Sequence, residues 1–110
     1  MKLIEKRCQP CEGGVPSLDP SKVAVLIKEL SGWNLSSDGK FIEKKIQLKN
    51  FKLALDLVNK IGQLAERENH HPDILVSYSQ VTLRLFTHAI GGLSENDFIL
   101  AAKIDQLMSS

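Results

Sequence analysis

No run of apolar residues in this chain approaches the roughly 18 needed to cross a bilayer, and the opening "MKLIEKRCQP" returns to charge before a signal-peptide core develops. Neither a membrane span nor a secretory leader is expected, so the sequence points to a cytoplasmic protein. A block of Lys and Arg is missing too. The 14 basic and 13 acidic residues are scattered and the net charge is only +1, so nothing is built to track phosphates and direct nucleic-acid binding is not expected. Cysteine is scarce: Cys8 and Cys11 form "CQPC" inside the Gly/Pro-rich "RCQPCEGGVPSL". A thioredoxin-like pair needs a helix start after a strand, and tetrahedral zinc needs two further ligands; neither lies nearby. Residues 1–16 are therefore expected to be a turn-rich N-terminal arm with reduced thiols. Without a leader, Asn34-Leu35-Ser36 is a chance match to a glycosylation acceptor. Linkers, internal repeats and low-complexity segments are also lacking, which leaves one domain over residues 1–110.

What is present is the composition of an ordinary globular domain, 43% hydrophobic and 25% charged. Asp19 as N-cap and Pro20 at the first helical position open a pattern in which Val23, Leu26, Ile27 and Leu30 share a face, predicting a short amphipathic helix that ends before Gly32. "WNLS" and "FIEKKIQL" flank "SDGK" as an antiparallel hairpin, with Lys44 interrupting the apolar parity of Ile42, Ile46 and Leu48. Asn50 caps a long helix whose wide apolar face runs from Phe51, Leu53 and Leu55 through Ala54, Leu57, Val58 and Ile61 to Gly62, Leu64 and Ala65. That face is expected to lie flat on a core, with Glu66 partly shielded at its border. A second hairpin follows in "ILVSYSQVTLRLFTH". Ser94 and Asp97, spaced as a capping box, then begin a third helix with the stripe Phe98, Leu100, Ala101, Ile104, Leu107 and Met108. The order α-β-β-α-β-β-α predicts an α+β fold: a four-stranded antiparallel sheet with three helices packed on one face. A chain this short buries a modest core, so a homodimer or homotetramer is expected.

The chemistry concentrates in "ENHHPDILVSY". Pro72 biases His71 away from helical geometry, so the long helix should stop near His70 and leave two imidazoles on a helix-to-strand turn. If the last helical turn reaches His70, Glu66 lies four residues before it and can accept an imidazole N–H, fixing a tautomer for proton transfer. His88 follows the last strand at once. Asp97 falls in the apolar sector of the third helix, so it should point inward, where it can both cap that helix and orient a neighbour.

Taken as a set, Glu66, His70-His71-Pro72, Tyr78, His88 and Asp97 make seven positions over 32 residues that include all three histidines of the chain. This spacing resembles the signature of the pterin-4a-carbinolamine dehydratase family, and the likeness runs over roughly residues 17 to 107. The resemblance implies dehydration of 4a-hydroxytetrahydropterin to quinonoid dihydropterin, a step that recycles the cofactor spent by aromatic amino-acid hydroxylases, with no metal and no cofactor required. It implies that His70, His71 and His88 are catalytic and contact the pterin substrate, that Pro72 and Tyr78 join the substrate-binding set, and that Glu66 and Asp97 orient them. The chemistry suits these residues, because expelling hydroxide needs a proton delivered to the departing oxygen while a ring N–H loses one. Imidazole performs both exchanges near neutral pH.

Two rivals differ in class. A three-histidine zinc site would use His70, His71 and His88, but adjacent ligands are geometrically awkward and H-E-x-x-H is lacking. The resemblance also carries an alternative without catalysis: animal members act as dimerisation cofactors for a homeodomain transcription factor, presenting a helical surface.

Overall fold

The chain's chemistry sets the element boundaries in the computed structural model, which describes residues 2–9 and 17–109. Asp19 accepts a hydrogen bond from Lys22 N at 3.0 Å and Pro20 fills the first position of α1 (Pro20–Ile27). Two short strands follow, β1 (Asn34–Leu35) and β2 (Ile42–Gln47). The Asn50 side chain caps α2 (Phe51–Glu68) by accepting from Leu53 N at 2.9 Å. Next come β3 (Asp73–Ser77), β4 (Gln80–Leu85) and α3 (Glu95–Ser109), with single 3-10 turns at Leu3–Glu5 and His88–Ile90. The three helices and the antiparallel sheet, in the order β1-β2-β4-β3, give the α+β fold that the pattern predicts.

Register puts the apolar parity on one side. Ile42 faces Leu85 and Ile46 faces Val81 across the β2–β4 pair, and Val76 faces Val81 across β3–β4. Ile42, Ile46, Val81 and Leu85 join Ile61 and Leu64 of α2 and Phe98, Leu100 and Ile104 of α3 in one buried cluster, against which the half-buried Val76 packs. Lys44, the odd residue on that side, is accommodated by pairing. Its Nζ donates to Ser31 O at 2.7 Å and to Asp105 Oδ1 at 2.8 Å, and Asp105 also accepts from Trp33 Nε1. A charge this far from water needs such partners.

The sheet and α3 do not cover the whole apolar face of α2. Ala54, Ile61, Leu64 and Ala65 are buried, whereas Phe51, Leu53 and Leu55 are 45%, 41% and 40% exposed, so the flat-lying wide face is corrected to a half-covered one. A stripe that wraps so much of a helix exceeds what one packing surface can reach. In residues 2–9 a single turn, Leu3–Glu5, packs on α3, and Leu3 is 3% exposed. Cys11 and the rest of residues 10–16 lie outside the described residues, so the expectation for the "CQPC" pair and the remainder of the arm falls there. No described helix is long and apolar enough to cross a membrane.

Candidate active site

The histidine pair owes its position to the way α2 ends. Asn69 adopts the left-handed conformation (φ 52°, ψ 41°), which Asn tolerates better than most residues, and its N–H and that of His70 return to the last carbonyls of the helix. Pro72 then sends the chain into β3. On the other side of the site, Thr87 N–H donates to Gly92 O at 2.8 Å, closing a small loop that presents His88. His70, His71, Pro72 and His88 come together around a cavity of about 440 Å³.

Behind His70 lies Asp97, completely buried. Its Oδ1 accepts from His70 Nε2 at 2.6 Å, while Oδ2 accepts from Thr87 Oγ1 at 2.9 Å and from Ser94 N at 3.0 Å. One carboxylate at the positive end of α3 thus ties together the loop after β4, the helix cap and the histidine. Half of the predicted capping box differs, because the Ser94 hydroxyl pairs with Thr87 Oγ1 at 2.7 Å. A carboxylate only accepts, so in the neutral ring Nε2 carries the proton and the other nitrogen keeps its lone pair.

Glu66 departs from its expected partner. It pairs with His71 Nε2, not with His70, and its side chain is 77% exposed rather than shielded. The helical i, i+4 geometry stops at Glu68, and the left-handed Asn69 turns His70 inward and His71 back over the outer face of α2. Tyr78 is not brought to the cavity. It sits 72% exposed at the β3–β4 turn, stacked on Phe51 with ring centroids 6.5 Å apart. It lies six positions beyond Pro72 along the extended β3, a run of roughly 20 Å. The His88 ring packs against Phe86 with centroids 4.2 Å apart, and its nitrogens have no hydrogen-bond partner among the described residues. No three His, Cys, Asp or Glu side chains among the described residues converge as a metal-holding group.

Sequence reasoning passed over Thr87, Asn96, Gln9 and Glu68. Thr87 immediately precedes His88, a neighbourhood signal that could have found it, and Asn96 precedes Asp97 in the same way. Glu68 is 9% exposed and pairs with Lys103 Nζ at 2.6 Å. Burial pushes its carboxyl up, but the Lys103 bond, the Cys8 N–H and the nearby cations together hold it below the ordinary value. The adjacent Cys8 thiol is pushed up to about 12 by burial and by the Glu68 carboxylate.

Comparison with known proteins places these features in a wider set. Residues 16–107 match the family described as pterin 4 alpha carbinolamine dehydratase. A Dechloromonas aromatica protein that carries the pterin-4-alpha-carbinolamine dehydratase name provisionally is 47% identical over 106 residues, covering 96% of this chain and 93% of the relative. One from Rubrobacter xylanophilus, named in the same way, is 44% identical and covers 96% and 98%. Among solved structures, a transcriptional coactivator/pterin dehydratase from Brucella melitensis superposes with a TM-score of 0.78 at 26% identity, over 83% of this chain and 97% of that one. A pterin dehydratase-like RuBisCO assembly factor of the alpha-carboxysome shares the fold, with a TM-score of 0.62 at 18% identity over 74% of this chain and 95% of that one.

Proposed function

Because the chain belongs to the pterin 4 alpha carbinolamine dehydratase family, we propose that it converts 4a-hydroxytetrahydropterin to quinonoid dihydropterin by histidine acid–base catalysis. The reaction is an elimination of water without redox change: the C4a–O bond breaks, the departing oxygen takes a proton, and a ring N–H gives one up. The observation that carries this reading is the pairing of His70 with the buried Asp97 beside a cavity that His70, His71 and His88 line together. Asp97 holds the His70 ring in one tautomer and one orientation. His88, with no competing partner among the described residues, is placed to meet the substrate directly. General acid–base groups of this kind contribute about 10²- to 10⁴-fold to rate.

In this reading no metal takes part, the product returns to tetrahydropterin-dependent aromatic hydroxylation, and the enzyme works in the cytoplasm as a homodimer or homotetramer. The exposed Phe51, Leu53 and Leu55 on α2 are the natural place for that association. The same exposed helix supports a second reading, a protein-interaction module with little catalysis, in keeping with the coactivator and assembly-factor names of the solved relatives. Turnover decides between them. Purified protein in chelator-treated buffer should accelerate dehydration of enzymatically generated 4a-hydroxytetrahydropterin, followed by ultraviolet absorbance. A rate equal to the uncatalysed background would leave the interaction reading in place.

A further inference from the structure

Residues 2–9 precede the segment that matches the family, residues 16–107, yet they form a strap seated at several points. Leu3 is buried in the core, and Lys6 Nζ meets Glu95 Oε2 at 3.2 Å. Cys8 N–H donates to Glu68 Oε1 at 2.9 Å, while Lys103 Nζ holds the other oxygen of that carboxylate. Gln9 is clamped through its backbone: its N–H donates to Asn96 Oδ1 at 2.9 Å, and Asn96 Nδ2 donates back to Gln9 O. The strap therefore bridges Glu68 at the end of α2 and Asn96 at the start of α3. His70 lies two residues beyond the first of these and Asp97 one beyond the second.

This seating makes Gln9 and Asn96 part of the wall of the cavity that the histidines line. The Gln9 side chain is exposed, and among the described residues its Nε2 makes only a long 3.4 Å contact to Arg7 O, which a ligand can displace. A carboxamide offers two donors and one acceptor. The pyrimidinone edge of a pterin presents the complementary set, a carbonyl, a ring N–H and an amino group. Since the Gln9 backbone is already committed to Asn96, its side chain is the part left to recognise a ligand.

We propose that Gln9 is a substrate-binding residue for the pterin ring and that Asn96 is the positioning residue that fixes it, a recognition element supplied by a strap that precedes residues 16–107. This rests on the pterin reading above. The test is calorimetric titration of the full-length chain with 7,8-dihydrobiopterin, alongside steady-state dehydration kinetics, for wild type, Gln9→Ala and Asn96→Ala. Gln9→Ala keeps the backbone clamp, so it should weaken binding and raise KM by about three- to tenfold, the worth of one or two neutral hydrogen bonds, with kcat within twofold. Asn96→Ala should do at least as much. If both variants bind and turn over like wild type, or Asn96→Ala only lowers the melting temperature, the strap is structural and the proposal fails while the pterin reading stands. Should Asn96→Ala fail to fold, Gln9→Ala alone decides. A wild type that neither binds the probe nor turns over sinks both.

Discussion

Replacing Asp97 by Asn is the most informative single change, because it alters one atom while keeping the side chain's shape. In the native site Oδ2 serves Thr87 Oγ1 and Ser94 N, and Oδ1 serves His70 Nε2. In the Asp97→Asn variant the carboxamide oxygen would take the Oδ2 position, where two donors await it, and the NH₂ would face His70. That geometry demands a lone pair on Nε2, so the ring must move its proton to the other nitrogen or give up the contact. The cap survives and the fold should persist. What is lost is a charge-assisted hydrogen bond of 2.6 Å between a buried carboxylate and a half-buried imidazole, worth about 1.5–3 kcal/mol. At about 1.4 kcal/mol per decade this amounts to roughly a 10- to 150-fold fall in kcat/KM. The assay is dehydration of 4a-hydroxytetrahydropterin, with nitrogen-15 spectra of His70 reporting the tautomer. A folded Asp97→Asn protein with kcat/KM within twofold of wild type would refute the reasoning.

Other changes should separate what is buried from what is exposed. Glu66→Ala removes a pair whose side chains are 54% and 77% exposed, worth under about 1 kcal/mol, so kcat/KM should fall no more than about fivefold; a larger loss would give Glu66 a direct role. Glu68 is held below its ordinary value of 4.5, so its stabilising contribution is complete above that pH and is lost as pH falls through the folded-state value. Glu68→Gln should therefore flatten the acid limb of the melting temperature against pH, and an unchanged limb would contradict the pairing. The Cys8 thiol, raised from 9.0 to about 12, holds roughly a thousandfold less thiolate at pH 8 than an ordinary cysteine. In a Cys11→Ser background it should react with Ellman's reagent far more slowly than a free thiol until the protein is unfolded.

The parts legible in the sequence were those set by local rules. Asp19-Pro20 and Asn50 announce helix starts, alternation in β2 and β4 announces strands, and the inward position of Asp97 follows from a helical wheel. What escaped was set by contacts distant in the chain or by one unusual backbone angle. Glu66 was assigned the wrong histidine because nothing local shows that Asn69 turns left-handed at the end of α2. The seat of the strap was invisible, since Cys8 reaches Glu68 across 60 positions and Gln9 reaches Asn96 across 87. Tyr78 belongs to the same spaced set as the histidines, but spacing along a chain does not fold with it, and an extended strand carries the ring to the far turn. Lys44, by contrast, looked like a flaw in an apolar pattern and is explained by Asp105, 61 positions away.

The central claim is that the histidines around this cavity transfer the protons of a pterin dehydration. Its most direct test is the dehydration rate of wild type against His70→Ala/His88→Ala, both checked for folding by circular dichroism. Catalysis by the wild type and a loss of about 10²-fold or more in the double variant are expected. A folded double variant that retains wild-type turnover would contradict the claim.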